Sequence, residues 1–150
     1  NPYSDYQLVI VGTELWSNSG ANLEIDPSVK AQIHFTGHLP LDQLARVVAS
    51  ATVFAFVPYF EGFGIPLVEA MKSGTPILSG DKTSLPEVAG DAVLYCDPFN
   101  VDDITEKLTT IAQDESLRLE LTKKGLERAK LFSWDKSAEQ VWEVLEKQLK

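Results

Sequence analysis

The sequence has 150 residues, 44% hydrophobic and 23% charged, which suits one globular domain with a sizeable core but is short for a two-domain enzyme. Its 13 Lys and Arg against 22 Asp and Glu give a formal net charge of -9, which argues against nucleic acid and against an anionic membrane surface as partners. No apolar run approaches the ~20 residues that span a bilayer, no signal peptide is visible, and the single cysteine, Cys96, fits a reducing compartment.

Taken in order, Asn1 to Tyr6 leads into Gln7-Leu8-Val9-Ile10-Val11-Gly12, a buried-strand pattern closed by glycine. Thr13 to Lys30 carries the turn signals Ser17 to Gly20 and Asp26-Pro27, so it reads as irregular chain with one helical turn, and Trp16 is expected at a core edge. Gln32 to Gly37 reads as a short strand, with His34 on its surface between Ile33 and Phe35. Pro40 to Ala49 reads as a helix, because Leu41, Leu44, Ala45 and Val48 fall at helical spacings. The turn Gly37-His38-Leu39 joins the two at the carboxyl edge of the sheet, and His38 is read as an exposed loop residue rather than a base. Val53 to Val57 is an apolar run that reads as a buried strand.

The next stretch, Glu61-Gly62-Phe63-Gly64-Ile65-Pro66-Leu67-Val68-Glu69, is a glycine-bearing turn that feeds a short helix stopped by Gly74. A parallel strand entering a helix this way is where open α/β sheets place ligands. Glycines let backbone approach a ligand closely, proline is tolerated in the first helical turn, and the N–H groups there suit a phosphate or a hydroxyl. Glu61 precedes the helix and Glu69 lies about one turn inside it. Carboxylates repel phosphate, but the pairing makes sense if the ligand also carries vicinal hydroxyls, which a carboxylate accepts well. A nucleotide sugar has a diol on its ribose, another on its sugar, and a diphosphate between them.

Glu61 to Glu69 resembles the E-x7-E motif of retaining glycosyltransferases of family 4 on the GT-B fold, and the Glu-Gly-Phe-Gly-x-Pro-x-x-Glu-Ala wording is similar throughout. The resemblance covers nearly the whole chain but about two-thirds to three-quarters of that family's C-terminal domain. It implies an α/β fold, a Rossmann-like parallel sheet with helices on both faces, lacking its first strand–helix unit and the N-terminal acceptor domain. It also implies that Glu61, the catalytic-site carboxylate, holds hydroxyls of the donor sugar and that Glu69 holds the ribose. Gly62, Phe63, Gly64 and Ile65 would line the donor, and Gly37, His38 and Leu39 the nucleotide base. The co-substrate implied is a UDP-, GDP- or ADP-sugar, used with retention and with neither metal nor cofactor, in the cytoplasm. The cations that clamp the diphosphate lie in the family's preceding loop, and no residue here clearly replaces them, Lys72 and Lys82 being suggested by sequence distance alone.

Beyond the motif, Thr75 to Gly80 reads as a strand, and Ser84-Leu85-Pro86-Glu87 reads as a capping box. Asp91 to Tyr95 resembles the family's last strand, with Cys96 a small buried residue after it. Val101 to Gln113 is a helix with Ile104, Leu108 and Ile111 on one face, and Ser116 to Phe132 is another, interrupted by Gly125, with Leu117, Leu121, Ala129 and Phe132 inward. Ser133 starts a last helix with the stripe Trp134, Ala138, Val141, Trp142, Leu145 and Leu149. Two tryptophans on such a stripe leave room for peripheral membrane association of the full-length enzyme. Acids that offset its lysines favour docking on protein instead, and a bare stripe would self-associate.

The sequence has no Asp-x-Asp motif, no Cys/His cluster with metal spacing, no P-loop and no Gly-x-Ser-x-Gly elbow. Two other readings stay open, a nucleotide-sugar epimerase of the GT-B fold and a non-catalytic α/β interaction module.

Overall fold

A computed structural model describes residues 5–12 and 25–148. Its elements are β1 (Leu8–Val11), α1 (Pro27–Lys30), β2 (Ile33–Gly37), α2 (Leu41–Ser50), β3 (Phe54–Phe56), α3 (Ile65–Lys72), β4 (Ile77–Gly80), α4 (Leu85–Ala89), β5 (Leu94–Cys96), α5 (Val101–Gln113), α6 (Glu115–Ala129) and α7 (Trp134–Gln148). Every strand pairing is parallel, β1 with β2, and β3 with β4 and β4 with β5, so this is an α/β fold of parallel sheets flanked by helices, as expected. The chain forms two compact units, 1–46 and 47–150.

In the first unit β1 lies alongside β2 from Leu8 opposite Ile33 to Val11 opposite Gly37. The ring of His34 hydrogen-bonds the Gln7 side chain at 2.6 Å on the exposed strand surface, where the alternation put it. The single helical turn is α1, capped by the Asp26 carboxylate, which accepts from the Ser28 N–H. The expectation that fails is burial of β1, since Leu8, Val9 and Ile10 are all exposed. A strand apolar on both faces anticipates cover on both. Among the described residues of this unit only α1 and the start of α2 are available to supply it. Leu41 is likewise exposed, because it opens α2 before the helix reaches its buried residue, Val48. The position expected for Trp16 lies outside the described residues.

The second unit holds the core. Strand order β3-β4-β5 puts β4 in the middle, and all four of its residues are buried. Leu67 and Met71 of α3, Ile77 and Leu78 of β4, Leu85 of α4 and Ile111 of α5 are fully buried together. Each such side chain contributes roughly 1.5–3 kcal/mol over leaving it exposed. β3 is only half-buried, against the reading of Val53 to Val57 as a buried run, because it is the edge of its three-stranded sheet.

The helix starts are set by local chemistry. Asn100 caps α5 by accepting from the N–H groups of Asp102 and Asp103, and Asp114 caps α6 by accepting from Leu117. Gly125 does not interrupt α6, which runs unbroken past it. The glycine lies against α3, where an added Cβ would stand 3.4 Å from Met71 Cγ and 3.7 Å from its Cα. Thr122 completes that contact by donating its hydroxyl to the Gly74 carbonyl at 3.1 Å. The packing therefore fixes the C-terminal end of α3, with Gly74 in a left-handed conformation just beyond it.

Candidate functional site

Because β3, β4 and β5 run parallel, their carboxyl ends share one edge of the sheet. The segments that leave this edge are 57–64, 81–84 and 97–100. The first carries Glu61 and turns into α3 through Gly64, whose φ of +99° only glycine adopts readily. A Cβ at Gly64 would also lie 3.0 Å from Leu85 Cδ2, so a side chain there would press on α4 as well as strain the turn. Ile65 and Pro66 then open the helix, and Glu69 sits on its exposed side about one turn further on.

Glu61 is half-buried and held at every polar group of its main chain. Its N–H donates to Thr83 Oγ1 at 3.3 Å, and its carbonyl accepts the Ser84 hydroxyl at 2.8 Å. Its carboxylate folds onto its own loop, with Oε1 accepting from Gly62 N–H at 3.0 Å and Phe63 N–H at 3.3 Å. Two of the amides expected to meet a ligand are thus turned toward Glu61, whereas the N–H groups of Gly64 and Ile65 have no acceptor among the described residues. A ligand oxygen competes with the carboxylate for the first pair and meets the second pair directly.

Ser84 departs from the capping box read in the sequence. Its φ of -79° and ψ of -15° are helical, so its hydroxyl does not cap α4 and turns to Glu61 instead. An N-cap needs extended backbone to aim its oxygen at the second or third amide. Thr83, just before it, is the one non-glycine residue with positive φ among those described, at 57°. Nothing in the sequence marks Thr83, and Ser84 does not serve the cap that its spacing to Glu87 suggests. The signal available was two hydroxyl residues in the β4–α4 turn, which serve a cap and a partner loop equally well.

Neither lysine suggested by sequence distance is free at this turn. Lys82 stands at this edge, but its ammonium pairs with Asp81 at 2.9 Å and Asp97 at 3.5 Å, which raises its pKa. Lys72 is at the opposite, C-terminal end of α3. Neither is a free counter-charge at the Glu61 turn. Beside the turn lies a cleft of about 370 Å³, lined by Gly62, Phe63, Ser84, Glu87, Arg128 and Phe132 among others. Phe63 meets Phe132 edge-on at 5.8 Å, and Arg128 donates to the carbonyls of Val88 (2.9 Å) and Glu87 (2.5 Å), so its guanidinium finishes the last turn of α4. Tyr59 and Phe99 stack at 4.9 Å where β3 and β5 end, both largely exposed.

Gly37, His38 and Leu39 close β2 in the first unit, with Gly37 at a φ of +66° and His38 exposed. Among the described residues no group of three or more His, Cys, Asp or Glu is placed to hold a metal ion, and no helix is long and apolar enough to cross a membrane.

Solved structures place this architecture in a class. Sucrose-phosphate synthase from Thermosynechococcus elongatus superposes on 95% of the chain with a TM-score of 0.79 and 26% identity, over 38% of its own length. The crystal structure of Anabaena Alr3699/HepE in complex with UDP and glucose covers 94% of the chain and 40% of its own, with a TM-score of 0.81 and 18% identity, and so shares the fold. The family described as "Glycosyl transferases group 1" matches residues 1–128, and the chain belongs to it. The O-antigen chain mannosyltransferase B of Escherichia coli is 37% identical over 131 residues, which are 87% of this chain and 34% of that protein. The chain therefore spans about a third of the length of this curated relative.

Proposed function

We propose that the chain is the donor-binding part of a retaining glycosyltransferase that moves a sugar from a nucleoside-diphosphate sugar to an acceptor. The observation that carries this reading is the corner at Glu61 to Glu69. A left-handed glycine there opens α3, two carboxylates flank the helix start, and Glu61 is pinned by hydrogen bonds at both main-chain groups. Glu69 takes the ribose hydroxyls and Glu61 those of the donor sugar, as charge-assisted acceptors of vicinal diols. The amides of Gly64 and Ile65 take diphosphate oxygens at the positive end of α3.

In the transfer, the bond between the anomeric carbon and the diphosphate oxygen breaks while the acceptor oxygen bonds to that carbon on the same face. The acceptor proton passes to the departing phosphate oxygen. No metal enters this scheme, and the protein contributes position together with stabilisation of the leaving diphosphate. Anabaena Alr3699/HepE is solved with UDP and glucose, which makes UDP-glucose a reasonable first donor to try, and the curated relative's name makes mannosyl donors the second. Membership of the family favours this reading over a non-catalytic module.

The test is calorimetric titration of UDP, GDP and ADP and their sugars into the full-length protein, with Glu69→Ala alongside. One nucleotide binds, and the variant weakens it by about a hundredfold, since two charge-assisted hydrogen bonds at ~1.5 kcal/mol each are lost. Equal affinity in the variant would remove Glu69 from the site.

A further inference from the structure

We infer that Thr83 and Ser84 are positioning residues that hold the Glu61 carboxylate in register for the donor sugar, an inference that rests on the donor-site reading above. Ser84 Oγ donates to the Glu61 carbonyl at 2.8 Å, while Thr83 Oγ1 accepts the Glu61 N–H at 3.3 Å and donates to the Lys82 carbonyl at 2.8 Å. The two hydroxyls thus fix the peptide groups on both sides of the Glu61 Cα. With those groups fixed, rotation within the side chain is what remains to move the carboxylate between its loop amides and a ligand.

Both residues break a local rule to do this. Thr83 is β-branched and sits at a φ of 57°, a left-handed conformation that such a residue adopts only where the surroundings impose it. Ser84 leaves the amides at the start of α4 without its hydroxyl, although a serine cap there would stabilise that helix. Two adjacent residues that forgo local stability to grip the same distant residue, 22 and 23 positions away, mark a segment shaped for Glu61 rather than for its own helix.

The experiment compares Kd for UDP with UDP-glucose, and GDP with GDP-mannose, in the full-length protein and its variants. Ser84→Ala and Thr83→Gly should weaken the nucleotide sugar five- to tenfold, about the worth of one hydrogen bond, and leave the bare nucleoside diphosphate unchanged. Thr83→Ser, which keeps the hydroxyl, should bind like the parent. Thr83→Gly also relieves the left-handed strain, so its Tm should hold or rise while its sugar affinity falls, a combination that a purely structural role does not produce. Ser84→Ala combined with Glu61→Gln should be no worse than Glu61→Gln alone. Equal losses on both ligands, no loss, or full additivity in the double variant would overturn the inference. If Glu61→Gln discriminates against the sugar and Ser84→Ala does not, only the positioning role fails. If Glu61→Gln is itself indifferent, or the parent binds none of these ligands, the donor-site reading fails and the inference falls with it.

Discussion

Two titratable residues at the end of the sheet report on how tightly this edge is packed. Burial pushes the Cys96 thiol up to about 11, helped by the negative charges of Asp103, Asp81 and Asp97. Burial likewise pushes the Tyr95 hydroxyl up to about 12, where it donates to the Gly90 carbonyl at 2.7 Å. Both groups are held neutral in the fold and ionise more easily once unfolded. Their contribution to stability is therefore complete below the ordinary thiol value of 9.0 and is lost as pH rises from there toward 12. Urea denaturation across this range should show a midpoint that is flat with respect to these two groups below pH 9 and falls above it. Cys96→Ala should soften the first part of that fall, and an unchanged slope in the variant would contradict the assignment. The same burial makes Cys96 slow to alkylate in the native state.

At the scale of elements, the contact that fixes α3 is its crossing with α6 at Gly125. Helix propensity alone favours alanine over glycine by about 1 kcal/mol in mid-helix. The added Cβ would stand 3.4 Å from Met71 Cγ, a contact that a movement of a few tenths of an ångström relieves, so Gly125→Ala should be close to neutral. Gly125→Leu has no such room, because Met71 Cα is 3.7 Å from the new Cβ, and overpacking of this kind costs ~1–3 kcal/mol. Denaturant melts of the pair check the contrast, and nucleotide affinity should fall in the leucine variant if pushing on α3 displaces Glu69. Most of these elements were legible in the sequence. The spacing of Ile104, Leu108 and Ile111 gave α5, and the glycine stop gave the end of α3. Burial was less legible, because alternation and apolar runs say which residues prefer cover but not how many neighbours supply it, as β1 shows. Nor could spacing tell that Ser84 turns away from its own helix or that Lys82 is engaged by Asp81 and Asp97. The first depends on backbone angles and on Glu61, far away in the sequence, and the second on where the adjacent Asp81 and the more distant Asp97 point their carboxylates.

For the molecule as a whole, the second unit carries the core, the motif and the residues that grip Glu61, while its last helix, α7, has no buried residue. Of the stripe expected on α7, Trp134, Ala138, Val141, Trp142 and Leu145 are all exposed and Leu149 lies outside the described residues, with the Trp142 indole donating to Glu146 at 2.9 Å. A nucleotide sugar at the start of α3 would touch only a small part of this surface, and glycines are well placed to locate it. Gly62 and Gly64 lie in the proposed site, whereas Gly74 and Gly125 lie where the C-terminal part of α3 packs on α6. An amide spectrum of glycine-labelled protein, titrated with the nucleotide sugar that binds best, reads both sets at once. The Gly62 and Gly64 resonances should move with saturation while those of Gly74 and Gly125 stay in place. Movement confined to Gly74 and Gly125, or stationary Gly62 and Gly64 under saturating ligand, would rule out a donor at this helix start.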